Sequence, residues 1–241
     1  VISQPTNSLG QPIGAPVPGS IPPPLPPREP IEGRYVRVAP IDEQFADDLY
    51  AAHLQDREGR SWTYLPYGPF ANEQDYREWM RATCFAADPL FHAMVDRVTL
   101  RAAGVAAYMR ITPASGAIEV GHVCFSPLLQ RGRGATEAMY LMMKRAFELG
   151  YRRYEWKCDA LNAPSRAAAR RLGFSFEGIF RQATVYKGRS RDTAWYAAID
   201  SEWPTLARAF DTWLDPDNFD AAGCQRSRLS DLTQPLLVSR G

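Results

Sequence analysis

Paired cysteines are missing from this chain. Its four thiols, Cys84, Cys124, Cys158 and Cys224, stand far apart with no CxxC pair, and its three histidines, His53, His92 and His122, are equally scattered. Such spacing offers neither a zinc knuckle nor a disulfide framework, and a chain of this length needs neither to hold a core. Reduced thiols, no metal and a cytoplasmic compartment are the expectation. Long apolar runs are missing too, so no membrane span is predicted. The opening Val1-Ile2-Ser3-Gln4-Pro5 lacks the basic stretch and apolar core of a secretory signal. Nor is there an excess of one charge: 28 Lys plus Arg face 27 Asp plus Glu. That balance argues against nucleic acid or an anionic membrane as the main partner.

What is present is a globular composition. Hydrophobic residues make up 45% of 241 positions and aromatics 12%, enough for one sizeable domain with extensions. Residues 1–31 are set apart by proline, from Pro5 to Pro30, with no charge before Arg28. Proline fixes φ and removes backbone donors, so this segment should be extended. Residues 32–200 carry the periodicities of a folded domain. Helical faces run through Ile41, Phe45, Leu49 and Ala52, then Tyr76, Trp79, Met80 and Cys84, with Asn72 as the cap of the second. Strand-like runs follow at 91–95, 105–111 and 118–125, the last two joined by the turn Pro113-Ala114-Ser115-Gly116. A helix over 135–149 stops at Gly150, a buried strand spans 154–158, and Asn162-Ala163-Pro164 opens another helix. Strands at 176–180 and 193–199 close the domain. The layout is mixed α/β. Residues 201–241 form an extension: a helix with Trp203, Leu206, Phe210 and Trp213 on one face, then a polar stretch from Asp215 read as irregular.

The most informative stretch is Gln130-Arg131-Gly132-Arg133-Gly134-Ala135, a glycine-rich turn between an apolar strand and an amphipathic helix. Glycines let backbone N–H groups converge, and a helix start adds partial positive charge. It is neither a Walker loop nor a dinucleotide fingerprint, and an ordinary strand-to-helix loop would read the same way.

Gln130 to Ala138, followed by Ala146-Phe147-Glu148-Leu149-Gly150, resembles the pyrophosphate loop and helix of GNAT acetyltransferases, in particular their RimJ/RimL-like branch. Asn162-Ala163-Pro164-Ser165, Leu172-Gly173-Phe174 and Glu177-Gly178 continue the likeness in order, over about residues 32 to 200. One departure is that Arg133 stands where that branch has its central glycine. The resemblance implies an α+β fold with a mostly antiparallel, splayed central sheet flanked by helices. It implies acetyl-CoA as cofactor and direct attack on the thioester by an amine. Val123, Cys124 and Phe125 then fall where strand backbone meets pantetheine, beside the cofactor-binding set Gln130, Arg131, Gly132, Arg133, Gly134, Ala135, Asn162 and Ser165. Ser165 falls on the partner of the departing thiolate. Glu119 is the first choice of base, with water or His122 as alternatives, because Gln182-Ala183-Thr184 holds no glutamate where the branch tends to carry one.

Trp62, Tyr64, Tyr67, Tyr108 and Arg110 are the expected walls of an acceptor pocket, suited to a planar or anionic amine. The partner expected is a small-molecule or peptide amine, and a homodimer is compatible with the pattern. Two other functions stay open from the sequence: a non-catalytic acyl-CoA sensor, and an interaction scaffold using the proline-rich segment and the Trp-rich helix.

Overall fold

A computed structural model describes residues 5–19 and 21–241; residues 1–4 and 20, part of the proline-rich segment, lie outside the described residues. Eight strands form one sheet: β1 (Ile31–Glu32), β2 (Val36–Pro40), β3 (Leu90–Asp96), β4 (Ala102–Thr112), β5 (Ala117–Phe125), β6 (Arg153–Asp159), β7 (Ser175–Tyr186) and β8 (Arg189–Ile199). Their order is β1-β2-β3-β4-β5-β6-β8-β7, and every neighbouring pair is antiparallel except β5 and β6. The helices are α1 (Ala46–His53), α2 (Glu73–Thr83), α3 (Arg133–Glu148), α4 (Ala163–Arg171), α5 (Trp203–Leu214) and α6 (Leu229–Thr233). This is the mixed, mostly antiparallel α/β sheet flanked by helices that the resemblance implies.

Strand alternation divides the core between the two sheet faces. On β4, Ala106 and Tyr108 join the cluster under α3 and α5, with Met142, Ala146 and Phe210. Val105 and Ala107 join the cluster under α1 and α2, with Leu49, Tyr76 and Met80. The local signals act where the sequence puts them. Asn72 Oδ1 accepts from Asp75 N at 2.9 Å to start α2, and Gly150, at φ +93, ends α3 where a side chain would be strained.

α3 starts at Arg133, two residues before the apolar periodicity begins, because Gly132 is extended and the first turn follows it directly. Glu137 anchors this helix. Only 5% exposed, its carboxylate accepts from the N–H groups of Arg34, Tyr35 and Val36 at 2.8, 2.6 and 2.9 Å. The loop between β1 and β2 is therefore held by a side chain a hundred residues away. Gly33 stands so close that a Cβ there would lie 2.5 Å from Glu137 Oε2.

The polar tail is more ordered than its composition implies. Asn218 Nδ2 donates to Trp213 O and Ser227 O, Leu229 is 1% exposed, and Thr233 Oγ1 donates to Arg171 O at 2.9 Å. Its apolar residues are too few and too widely spaced to show a period, so the docking of α6 is invisible without the fold. The described part of the proline-rich segment is not extended throughout: Thr6 bridges Pro12 around a turn in which Gly10 N donates to Asn7 O, and Pro23 and Pro26 further on are buried. Arg28 Nη2 donates to Ala86 O at 2.6 Å and Arg145 Nη1 to Glu29 O at 2.7 Å, which fastens its end to the domain.

Candidate active site

The two parallel strands part in the middle of the sheet. β5 and β6 pair only from Ala117–Arg153 to Val120–Trp156, and beyond Val120 no pairing continues. On the other side of β5, Gly121 faces Ala107 and Cys124 faces Val105, so His122 and Val123 together oppose one residue. That β-bulge, with His122 at φ 51, bends β5 away from β6. A cleft of about 580 Å³ opens at the divergence.

One wall is built from the ends of β5 and β6 and the start of α4, and the chain leaving β5 runs on into the start of α3 outside the cleft lining. Leu129 N and Gln130 N both donate to Ser126 O, and Arg131 takes a left-handed conformation at φ 61. No side chain caps α3. The N–H groups of Arg133, Gly134 and Ala135 precede its first intrahelical bond and are free for an anion. Gly134 packs tightly, since a Cβ there would meet Leu129 Cδ1 at 3.3 Å. An uncapped helix start beside unpaired strand backbone fits the pyrophosphate and pantetheine of a coenzyme A thioester. The arginines contribute less than their charge implies. The Arg133 guanidinium lies 4.8 Å from the Tyr35 ring and 4.7 Å from the Phe219 ring, and Arg131 is exposed. Gln130 is a brace, its Nε2 donating to Phe125 O at 2.6 Å.

At the start of α4, Asn162 Oδ1 accepts from Ser165 N at 3.1 Å. Trp156 Nε1 donates to Ser165 Oγ at 3.0 Å. With an acceptor site of the hydroxyl taken by the indole, its proton is free to point into the cleft. Arg166 is occupied internally, Nε donating to Tyr196 OH at 3.1 Å.

Glu119 lines the cleft but is only 2% exposed. Arg110 Nη1 lies 2.6 Å from Oε1, and Lys157 Nζ lies 2.8 Å from Oε2. Lys157 also meets Glu155 at 2.6 Å and stands 3.9 Å over the Trp195 ring. Arg110 is aimed by its backbone: at φ 46, its N–H donates to Asp88 Oδ1 at 3.0 Å. His122 Nδ1 lies 3.0 Å from Tyr67 OH. Burial, with Arg110 adding to it, pushes the imidazole down to about 4, so it is neutral at pH 7.

The other wall comes from the loop after α1 and from the β7–β8 hairpin. Lys187 Nζ donates to Trp62 O at 2.8 Å, and Tyr64 OH to Leu161 O at 3.2 Å. Tyr186 OH donates to Asp159 Oδ2 at 2.8 Å. Burial and that carboxylate push the phenol up to about 12.

Of the residues named from the sequence, Glu119, Ser165, Asn162, Val123, Tyr64 and Arg110 come together in the cleft. Trp62, Tyr67, Tyr108, Cys124, Phe125 and the loop Gln130 to Ala135 do not line it. Tyr108 is fully buried under α3, its hydroxyl donating to Met142 O at 2.7 Å, because its register on β4 turns it to that face. Trp62, 4% exposed, packs among His53, Tyr67 and Phe70. Cys124 faces the α1 side, its Sγ 4.0 Å from His53 Nδ1. Sequence reasoning missed Trp156, Lys157, Asp159, Tyr186, Arg191 and Trp195. The alternation along β6 was a usable signal for the first three; Tyr186 and Arg191 fall between the closing strands expected at 176–180 and 193–199, and Trp195 within the second, with nothing to aim them at a cleft.

A sheet that splays onto an uncapped, glycine-flanked helix start, with hydroxyl and charged groups converging at the gap, defines a coenzyme A-dependent acyltransferase fold. The family model described as Acetyltransferase (GNAT) domain matches residues 36–175. A GCN5-related N-acetyltransferase from Brucella melitensis is 46% identical, with a TM-score of 0.87, covering 90% of this chain and 99% of that one. A GNAT-family protein from Chromobacterium violaceum is 42% identical at a TM-score of 0.75, over 80% and 97% of the two chains. RimL, a ribosomal L7/L12 alpha-N-protein acetyltransferase solved with coenzyme A, shares the fold at 21% identity and a TM-score of 0.59, over 72% and 99%. No curated protein matches. The chain belongs to the GNAT acetyltransferase family, and its acetyl donor is acetyl-CoA.

Proposed function

We propose that this enzyme acetylates a primary amine, that of a small metabolite, an aminoacyl compound or a protein N-terminus, by direct attack within a ternary complex. The observation that carries this reading is the gap between β5 and β6, where Ser165, Glu119 and the bulged backbone of β5 border one cleft. Acetyl-CoA supplies the activated thioester. The bulged backbone at His122 and Val123 offers donors for the charge that develops on a carbonyl oxygen there. Ser165 donates a hydrogen bond to the departing sulfur, its orientation fixed by the Trp156 indole. Glu119 holds Lys157 and Arg110 in the cleft. With Arg110 Nη1 2.6 Å from one oxygen and Lys157 Nζ 2.8 Å from the other, we assign it to positioning these cations and give the amine's proton to water. The RimJ/RimL-like branch is the assignment we favour, supported by the Asn162–Ser165 pair, and a cytoplasmic location accords with the four free thiols.

The test is free-thiol release from acetyl-CoA across a panel of amines, with the acetylated product identified by mass spectrometry. Release that depends on the amine supports the proposal. Hydrolysis alone, at one rate whatever amine is added, refutes it.

A further inference from the structure

We infer that the acceptor amine carries an oxyanion, a carboxylate or a phosphate, and that Arg191 and Trp195 on β8 bind it; this rests on the acetyl-transfer reading of the same cleft. Residues 191, 193 and 195 alternate onto one face of β8, and all three line the cleft. Two N–H groups on that face, Arg191 Nε and Trp195 Nε1, are buried without any hydrogen-bond acceptor. Both are donors only, so nothing but an acceptor atom satisfies them.

The other charges of the cleft are spoken for. Arg110 and Lys157 share Glu119, and Lys157 also meets Glu155. Asp159 accepts from Tyr186 OH and from Leu161 N, each at 2.8 Å. Asp192, next to Arg191, accepts from Gln182 N at 2.7 Å. Among the described residues no carboxylate comes within 4.0 Å of the Arg191 guanidinium, which makes it the unmatched cation of the cleft. The indole is fixed as well, stacked on Phe180 at 4.4 Å with Lys157 Nζ 3.9 Å over its ring. A fixed indole N–H and an unmatched guanidinium on one strand face make a receptor for an oxyanion. On the acetyl-transfer reading the donor's phosphates go to the uncapped start of α3, which contributes no residue to this cleft lining, so the anion that β8 awaits is assigned to the acceptor. A flat or aromatic body on that acceptor would find Tyr64 and Phe180 beside it.

The enzyme tests this with amines paired with and without the anion, compared at equal free-amine concentration because the anion also shifts the amine's pKa: L-phenylalanine against L-phenylalaninamide, and O-phosphoethanolamine against ethanolamine. Two readouts are taken, kcat/KM by thiol release and calorimetric binding of each amine in the presence of coenzyme A. In at least one pair the anionic member should be favoured by ~10-fold or more, the size expected for hydrogen bonds to a charged group. The pair that shows it tells a carboxylate acceptor from a phosphate one. Arg191→Gln should bring that ratio near one while acetyl-CoA affinity stays at the parental value, and Arg191→Lys should restore part of it. Trp195→Phe, which keeps the stacked ring and removes the N–H, should reduce the same ratio and guards against a poorly folded arginine variant. Equal binding within both pairs, a preference that survives Arg191→Gln, or a loss that falls on acetyl-CoA instead would overturn the inference. Absence of thiol release with every amine would sink the acetyl-transfer reading, while the binding readout would still decide on the oxyanion site.

Discussion

The two walls of the cleft are built differently. The side we propose for the donor is made of short local devices: a bulge in β5, an Asn cap into α4 and, next to the cleft, a glycine turn into α3. The acceptor wall is assembled across the chain, where Lys187 reaches Trp62, Tyr64 reaches Leu161 and Tyr67 reaches His122. The first wall presents backbone groups that a phosphate ester needs whatever the acyl acceptor. The second presents side chains that can be exchanged without disturbing the turn or the cap. A family that keeps one donor and changes acceptors is served by that division of labour.

The anchoring of the donor wall breaks most readily at Glu137. Glu137→Ala removes one carboxylate and leaves three N–H donors at Arg34, Tyr35 and Val36 without it. Breaking a buried charged interaction of this kind costs roughly 3–5 kcal/mol. For a chain of this size that corresponds to a fall in Tm on the order of 10 °C. Glu137→Gln keeps one acceptor oxygen and should fall between. Thermal unfolding by circular dichroism checks both; a Glu137→Ala variant as stable as the parent would mean that the β1–β2 loop finds other partners.

Acid tests the three histidines, His53 and His92 buried and His122 half-buried. Burial lowers His53, His92 and His122 from 6.5 to about 4. Between those values the unfolded chain binds protons that the folded chain refuses. Their contribution to stability is therefore full above pH 6.5 and is lost as pH falls toward 4. Each histidine adds about 1.4 kcal/mol per pH unit to the slope within that window. His53 and His122 both pack against the aromatic loop, whereas His92 sits in the sheet beside Tyr108. Denaturant midpoints between pH 7 and 4.5 should fall steeply, and His53→Phe should remove about one proton from the slope. A flat profile would show that these rings find water or partners as the pH drops.

The same division explains what could be read from residues alone. Asn72, Gly150, the Pro113–Gly116 turn and the Asn162–Ser165 cap act within a few positions of themselves, so their spacing carries their meaning. Glu119 and Ser165 line the cleft because a strand and a cap place them there. Tyr108 and Trp62 were assigned to the pocket from residue type, and the register of β4 and the packing around His53 turn them inward. Arg191 and Trp195 were not assigned to the cleft, since nothing in a hairpin's composition says which face meets one. Glu137 read as a helix residue; its three partners are about a hundred positions away.

In the proposed mechanism Ser165 faces the departing sulfur. Ser165→Ala should lower kcat by ~10²-fold, the low end for acid–base assistance, with acetyl-CoA affinity nearly unchanged. The variant also leaves the Trp156 N–H without its 3.0 Å acceptor, so a loss of about 1 kcal/mol in stability should accompany it. Asn162 still caps the helix through the Ser165 backbone N–H, which no side-chain change removes. Turnover at saturating acetyl-CoA and the denaturant midpoint separate the two effects. A shifted midpoint with parental turnover would make this serine a structural support for the indole.

Arg133 gives the smallest expected effect and the sharpest one for the donor wall. By charge and position it should grip the pyrophosphate, since it opens α3 beside Gly132 and Gly134. In the structure its guanidinium lies between Tyr35 and Phe219, with Nη1 3.4 Å from Tyr35 OH, and so joins the helix start to the C-terminal extension. Neutral substitution, Arg133→Gln, should therefore change acetyl-CoA affinity by no more than about threefold, within the few tenths of a kcal/mol of an exposed helix-end charge. Stability should drop instead, by roughly 1 kcal/mol for contacts of a cation with two rings. Calorimetry with acetyl-CoA, set beside the unfolding midpoint, reads both quantities from one preparation. An affinity loss of ~100-fold, far beyond a helix-end charge effect, would mean that the side chain leaves its rings to hold phosphate. The donor wall would then depend on a side chain as the acceptor wall does, and the contrast between them would fail.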